Sequence, residues 1–367
     1  MSQVPATCKE NVVIGMSGGV DSSVAAWLLQ QDPQVSLNAL FMQNWEEDED
    51  DYCTAIEDFR DASGVCTQLG IPLQSVNFSA EYWQKVFSEF LDEYNAGRTP
   101  NPDILCNKEI KFRAFLDHAK ITGANTIATG HYVRTDKDPQ GRSRLLRGAD
   151  PAKDQSYFLH TLDQSQLSHA RFPVGGLLKA DLRAIAQDIG LQVHNKKDST
   201  GICFIGERRF SDFLSEYVAT RTGPIITDGG EQIGKHNGIA FYTIGQRQGL
   251  GIGGNADHKP DPWYVSDKNV ETNELVVVQG HDHPALHKHT LHASRAHWIR
   301  ETPGNDLKCT AKVRYRQQDV ECTAYLLDND QLRVEFKNTV RAITPGQSVV
   351  FYDGDECLGG AIIEHAQ

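Results

Sequence analysis

The sequence predicts an α/β protein: a parallel, Rossmann-like sheet within residues 1–210, a small β-rich central segment over 211–284, and a β-rich C-terminal segment over 285–367. Three observations carry this expectation. Apolar runs of strand length alternate with helical patterns in the first half of the chain. The first of those strands runs into a loop of glycines and serines that opens a helix. Beyond about residue 210, short alternating segments separated by turn pairs replace the helical periodicity.

The elements follow in order. Asn11 to Gly15 supplies the buried run Val12-Val13-Ile14, and Asp21 to Gln30 reads as a helix with Val24, Trp27 and Leu28 on one face. Val35 to Met42 is the next strand, Thr54 to Leu69 a helix stopped at Gly70, and Leu73 to Phe78 a third strand. Tyr82, Val86, Phe87, Phe90, Leu91 and Tyr94 form a core-facing helical stripe closed by Gly97, and Asn125 to Thr129 adds a strand. Later come Leu275 to Val278, Cys309 to Tyr315, Cys322 to Leu327 and Leu332 to Phe336, with turns at Asp228-Gly229, Asp328-Asn329 and Asp353-Gly354. The glycine-rich stretch Gly249 to Gly254 and the stretch His281 to Pro284 read as loops.

Composition excludes several classes. A chain of 367 residues with 39% apolar and 23% charged residues is long enough for two or three domains with sizeable cores. No apolar run approaches the roughly 18 residues of a membrane helix. Met1 to Asn11 has no apolar signal region, so the expected location is the cytoplasm. In that reducing compartment Cys8, Cys53, Cys66, Cys106, Cys203, Cys309, Cys322 and Cys357 are not expected to form a structural disulfide framework. No two cysteines have C-x-x-C spacing, and no resident metal site is expected.

The formal charge of -13 looks wrong for a nucleic-acid binder, but it is unevenly placed. Nine acids against Arg60 between Glu46 and Asp61 account for -8 of it, leaving -5 elsewhere. Basic groups gather at Arg142, Arg144, Arg147 and Lys153, at Lys196, Lys197, Arg208 and Arg209, and at Lys308, Lys312, Arg314 and Arg316. Such patches can hold phosphates on an acidic protein, or they are ordinary solvated faces.

Two features bear on chemistry. Gly15-Met16-Ser17-Gly18-Gly19-Val20-Asp21-Ser22-Ser23 joins a buried strand to a helix. Glycines allow positive φ and close approach to an anion, while a helix start aims N–H groups and its dipole at it. The loop is neither a Walker sequence nor a G-x-G-x-x-G fingerprint. The plain alternative is a tight turn with an N-cap serine. The second feature is a pair of cysteines in electropositive settings: Cys106, just before a short helix with Lys108 and Lys111, and Cys203, after Lys196-Lys197 and before Arg208-Arg209. Both settings favour thiolate, although either cysteine alone also suits a buried apolar position.

The loop resembles the SGGxDSS loop of the PP-loop ATP pyrophosphatases, which cleave ATP between the α and β phosphates and adenylate a substrate oxygen. Phe41 to Trp45, Gly97 to Asp103, Thr129 to Tyr132, Lys153 to Tyr157, the Cys203 segment, Gly245 to Arg247 and Thr344 to Gln347 narrow the resemblance. Together they are similar to the bacterial tRNA-specific 2-thiouridylases, nearly end to end.

That resemblance implies a PP-loop ATP-binding domain over 1–210, a small central domain over 211–284 and a tRNA-binding C-terminal β-barrel over 285–367. ATP would be held by Gly15, Met16, Ser17, Gly18, Gly19, Val20, Asp21, Ser22, Met42 and Gly130, with Mg2+ on its phosphates. The C2 oxygen of the wobble uridine would be adenylated. Sulfur would then come from a persulfide on Cys203, loaded by a sulfur-relay donor protein. Cys106 would resolve the resulting disulfide or release hydrosulfide. Asn101, Pro102 and Asp103 would line the target base, with Asp103 as an acid/base or, alternatively, a helix N-cap. His131, Lys153, Asp154, Gln155, Arg314, Tyr315 and Gln347 would touch tRNA, although His131 also suits a core position. The enzyme is expected to act as a monomer. Two other functions stay open on the sequence: an AMP-forming ligase using an amine nucleophile, and a non-catalytic RNA-binding protein.

Overall fold

The computed structural model describes residues 9–45, 54–198, 210–218, 220–252 and 261–367. Cys203, Cys8, Cys53 and the acids from Glu46 to Asp51 lie outside the described residues.

The first sheet follows from the buried apolar runs. β1 (Glu10–Gly15) pairs in parallel with β2 (Val35–Gln43), and β2 with β3 (Leu73–Asn77). On its other side β1 pairs in parallel with β4 (Thr126–Ala128), which pairs with the short β7 (Ala170–Arg171). The order β3-β2-β1-β4-β7 reverses direction at β1. Open parallel sheets bind ligands outside the carboxyl ends of the strands at such a switch point. Helices α1 (Val20–Gln30) and α2 (Thr54–Leu69) connect the strands, as their periodicity predicts.

The aromatic stripe forms a helical run, α3, over 79–95, with a π-helical segment Trp83–Phe87 in its middle. Tyr82, Val86, Phe87, Phe90 and Tyr94 are buried in the largest apolar cluster. A second run, α4, covers 102–121 and is π-helical from Cys106 to Ala114. Cys106 therefore lies within a helix, in its second turn, rather than just ahead of one.

The hairpin β5 (Val133–Lys137) and β6 (Ser143–Arg147) was not foreseen, because alternating charged residues mask its apolar face. α5 (Gln164–Ser168) and α6 (Lys179–Asp188) complete this part of the chain, and α7 (Phe210–Tyr217) leads into the central segment. There β8 (Gly223–Thr227), β9 (Gln232–His236), β10 (Trp263–Asn269) and β11 (Glu274–Gln279) make a four-stranded sheet in the order β10-β11-β8-β9.

The C-terminal strands are β12 (His287–Trp298), β13 (Asp306–Lys312), β14 (Val320–Leu326), β15 (Leu332–Arg341), β16 (Ser348–Asp353) and β17 (Glu356–Ala366). The antiparallel order β12-β15-β14-β13-β16-β17 closes on itself through the β12–β17 pairing, which makes a barrel without free edges. Asn329 and Asp330 at φ 58° and 54° form the primed turn between β14 and β15 that Asp328-Asn329 foreshadows. β13 stops at Lys312, short of the expected Tyr315, because the chain turns there to bring Arg314 and Tyr315 inward.

β6 pairs with β17, so the barrel sheet takes two strands from the first half of the chain. One apolar cluster runs from Val13 of β1 through the α3 aromatics to Val350 and Tyr352 of β16. Continuous burial of this kind holds the nucleotide half and the barrel in one fixed relation. Among the described residues no helix is long and apolar enough to cross a membrane.

Candidate active site

The glycine loop leaves β1 at the switch point and enters α1. Gly18 has φ +72°, and a Cβ there would lie 2.3 Å from the Asp58 carbonyl oxygen, so glycine is required for both conformation and space. The N-cap of α1 is Gly19, with no side-chain cap. Ser22 and Ser23 donate their hydroxyls to the Gly19 carbonyl at 3.1 and 2.8 Å, so no serine caps the helix as the plain-turn alternative requires. An uncapped helix start flanked by hydroxyls, with Ser17 exposed, is suited to cradle an anion. Met16 and Val20 are buried beneath it, and Met42 at the end of β2 lies over Gly15, whose added Cβ would meet Met42 Cε at 3.1 Å.

The loop after β4 closes against this cradle. A Cβ on Gly130 would sit 2.7 Å from the Ser22 amide nitrogen and 2.9 Å from the Asp21 carbonyl carbon. Neither neighbour is a flexible side-chain end. We expect Gly130→Ala to destabilise the fold by about 2 kcal/mol and to weaken nucleotide binding, as overpacking against backbone does. Gly176→Ala, with nothing within 4 Å of the added carbon, is the control. Equal melting temperatures for the two variants would contradict the close approach.

Asp21, in the first turn of α1, accepts from the Tyr132 hydroxyl at 2.7 Å and from Lys179 Nζ at 2.7 and 2.9 Å. The same Lys179 Nζ lies 2.7 Å from Asp198, which also holds Lys153 at 2.7 Å and Arg183 at 3.0 Å. Burial opposes ionisation of Asp198, but its hydrogen bonds from Lys153 and Lys179 prevail and hold the carboxyl down at about 2.

On α4, Asn101 is the N-cap without a side-chain cap bond, Pro102 occupies the first helical position, and Asp103 lies inside the first turn. Asp103 is therefore not the N-cap. Burial raises its carboxyl above the usual range against the opposing pull of Lys111, which suits an acid/base group. Cys106 is 2% exposed. His131 follows Gly130, accepts from or donates to Thr129 Oγ1 at 2.8 Å, and packs its ring 5.6 Å from Phe112 of α4. Burial, then the Lys111 cation, hold it well below the usual histidine range, so it is neutral. Lys111 thus bears on Asp103 and His131, whereas Lys108 lies 4.0 Å from Glu109 and bears on His160.

The remaining expected contact residues are engaged within the protein. Gln347 donates to the carbonyls of Thr99 and Pro100 at 2.8 and 3.2 Å and so fixes the approach to α4. Gln155 accepts from the Tyr132 amide at 2.9 Å. Asp154 is 6% exposed and accepts from Gly148 N, Ser156 N and Ser156 Oγ. Arg314 donates to Ile244 O, Ala342 O and Thr344 Oγ1 at 2.6, 3.0 and 2.8 Å, tying barrel to central segment. Tyr315 packs on Phe158 at 4.4 Å. The basic cluster at 142–147 is likewise paired: Arg142 with Asp138 and Glu301, Arg144 with Asp136, and Arg147 with Asp319. Lys196 is held by Asp58 and Asp61 at 2.8 and 2.5 Å. Sequence reasoning missed Lys179 and Arg183, whose partners are distant in the chain and carry no local signal, and it named Lys111 only as a neighbour of Cys106 and not for its pull on Asp103 and His131.

Three family models match the chain: a tRNA methyl transferase HUP domain over residues 10–207, a tRNA methyl transferase PRC-barrel domain over 211–279, and an aminomethyltransferase beta-barrel domain over 288–363. The chain is 58% identical to the tRNA-specific 2-thiouridylase MnmA of Salmonella paratyphi B, over 99% of this chain and 98% of that one. The corresponding protein of Shigella flexneri serotype 5b is also 58% identical, over 97% of each. A solved structure of the U34-tRNA thiolase NcsA from Methanococcus maripaludis matches at 19% identity and a TM-score of 0.35, covering 58% of this chain and 65% of that one, a fit too loose to bear on the site. Matched across its length by all three models and by relatives of this identity, the chain belongs to the tRNA-specific 2-thiouridylase family.

Proposed function

We propose that this enzyme uses ATP to form 2-thiouridine at the wobble position of tRNA anticodons, with Cys203 delivering the sulfur and Cys106 assisting its release. The observation that supports the reading is that the Cys106 helix and Asp198, five residues ahead of Cys203 in the sequence, are both joined to the glycine loop. Gly130 lies against Ser22 while the next residue, His131, packs on Phe112 of the Cys106 helix. On the other side, Lys179 joins Asp21 to Asp198, five residues ahead of Cys203.

The chemistry follows in order. The cradle of Gly15 to Ser22 holds the ATP phosphates, and Met42 and Gly130 border it. Mg2+ would accompany the phosphates and neutralise the charge on the departing pyrophosphate; Asp21, the carboxylate of the loop, is held by Lys179 and Tyr132. Attack of the uridine C2 oxygen on the α-phosphorus expels pyrophosphate and turns that oxygen into a leaving group. The outer sulfur of a Cys203 persulfide, loaded by a donor protein, then attacks C2 and AMP leaves. The Cys106 thiol next attacks Cys203 Sγ and breaks the S–S bond, so that the outer sulfur stays on C2 as 2-thiouridine and a Cys106–Cys203 disulfide is left for an external thiol to reduce; one hard displacement is thereby split into easier ones. Asn101, Pro102 and Asp103, at the start of α4, line the base, and the raised carboxyl of Asp103 is suited to hold a proton there. A wobble base is already single-stranded, so extruding it costs less than the few kcal/mol typical of a duplex. Of the expected tRNA-contacting residues, His131 adjoins Gly130, Lys153 pairs with Asp198, Gln155 holds Tyr132 and Gln347 holds Thr99 and Pro100, while Asp154, Arg314 and Tyr315 support the same region through their own internal contacts.

The test is pyrophosphate release from ATP with and without an unmodified tRNA carrying a wobble uridine, together with mass analysis of the digested nucleosides. Release that needs the tRNA, with a sulfur-for-oxygen mass change at the wobble base, is expected. Release that ignores tRNA and responds to a small amine would move the protein to the ligase class.

A further inference from the structure

We propose that Cys309 and Cys322 are a redox-responsive dithiol of the C-terminal barrel, which closes to a disulfide by exchange with a low-molecular-weight disulfide and so pins the root of the loop that carries Arg314 and Tyr315. The inference stands apart from the function proposed above, since neither the glycine loop nor the sulfur-transfer cysteines enter it.

The register makes the bond available. β13 and β14 run antiparallel, and Cys309 stands directly opposite Cys322. Directly opposed residues of such a pair have Cα atoms about 4.5 or 5.5 Å apart, and a disulfide spans about 4.4–6.8 Å, so side-chain rotation closes the bond without moving the backbone. Cys322 is 7% exposed in the apolar cluster of the barrel, and Cys309 packs against that cluster. Both are thiols, with sulfurs 3.6 Å apart. Cys309 is the point of entry. The β13–β16 pairing starts at Thr310 opposite Tyr352, so Cys309 lies just outside it and is only half-buried.

In the first step the Cys309 thiolate attacks one sulfur of the small disulfide, forms a mixed disulfide and expels a thiolate, which takes up the proton that Cys309 gave up. Cys322 then gives up its proton, its sulfur attacks Cys309 Sγ, and the second small thiol leaves. Two cysteine thiols are thus oxidised by two electrons while the small disulfide is reduced to two thiols. The hydrogen bond with Cys322, and then burial, raise the Cys309 thiol above its usual range, so the first step is slow near neutral pH. The second is fast, because Cys322 is already in contact. Arg314 and Tyr315 lie in the loop that the bond closes. Arg314 donates to the carbonyls of Ile244 and Ala342, and Tyr315 packs on Phe158, so the bond fastens the base of the loop that joins the barrel to the central segment and to the nucleotide half.

The full chain is incubated without oxygen in oxidised glutathione at pH 7 and pH 8, with reduced glutathione as the control, then stopped with acid, alkylated in denaturant and mapped by peptide mass. The expected product is a peptide pair linked between Cys309 and Cys322, formed about tenfold faster at pH 8 than at pH 7, as the thiolate fraction dictates. Cys322→Ala, which removes the resolving thiol, should instead retain glutathione on Cys309. The linked form should melt about 3 °C above the reduced one, and neither Cys322→Ala nor Cys309→Ala should show that rise, which separates it from disulfides formed elsewhere. The linked peptide is read in the parent chain, so the result stands even where a variant fails to fold. Two alkylated cysteines after prolonged exposure, or glutathione retained on Cys309 in the parent, overturn the dithiol. A linked form that melts no higher than the reduced form overturns the pinning.

Discussion

Replacing Cys203 by Ser is expected to abolish 2-thiouridine formation while tRNA-dependent pyrophosphate release persists, and Cys106→Ser should do the same. Removing the nucleophile of a covalent route costs a factor on the order of 10^3 or more in turnover. Adenylation needs no thiol, so it should survive. Burial distinguishes the roles. Cys106 is 2% exposed inside α4, where a hydroxyl can replace a thiol with little change of shape. Two of the other described cysteines are fillers: burial pushes Cys66 up to about 11 and Cys357 higher still, away from thiolate. Cys309 and Cys322 face each other across β13 and β14 with sulfurs 3.6 Å apart, remote in the fold from the cradle. The measurement is a paired assay of pyrophosphate and thionucleoside on one reaction. Loss of both products in either serine variant would mean that the cysteine acts before activation and would reverse the order of steps.

Acid should unfold this protein earlier than its carboxylates alone would. His160 is 1% exposed at the junction of the two halves, and burial, helped by nearby His297 and Lys108, pushes its pKa down to about 3. In the unfolded chain the group titrates near 6.5. Below that value the unfolded chain binds a proton that the folded protein does not. Stability is therefore complete above about pH 6.5 and falls by roughly 1.4 kcal/mol per pH unit on the way down toward pH 3. His131, also held neutral by burial, adds a term of the same sign. Against a total of roughly 5–15 kcal/mol, a loss of a few kcal/mol by pH 5 is large. Denaturant titrations at pH 7.5, 6.0 and 5.0 check this. His160→Gln, which keeps a polar side chain of similar size but cannot ionise, should lose about one proton's slope. The same slope in the variant and the parent would remove His160 from the account.

Much of the fold was legible because its signals are local. The apolar runs at Val12 to Ile14 and Val35 to Phe41, the stripe from Tyr82 to Tyr94 and the turn at Asp328-Asn329 each announce one element by period or by turn chemistry, and each is found. The glycine loop was legible for the same reason: positive φ at Gly18 and the uncapped start of α1 follow from residues within a few positions of one another. The β5–β6 hairpin escaped because its partners are in β17, some two hundred residues away, and its outward charges hide the period. The basic clusters stayed open between phosphate patches and ordinary faces, since the positions of arginines do not say which carboxylates fold against them; Arg142, Arg144 and Arg147 are matched by acids that the sequence leaves far apart or uncounted.

What the sequence by itself determined is the set of parts: a parallel sheet, a phosphate loop, two cysteines in basic settings and a β-rich remainder. What the tertiary structure alone decided is how the parts are joined. Gly130 against Ser22, Gln347 on Thr99, and Lys179 between Asp21 and Asp198 are contacts between residues tens to hundreds of positions apart. Local pattern reflects backbone geometry that repeats every two or nearly four residues, whereas these contacts depend on where the packed cores bring distant segments, and no period in the chain encodes that.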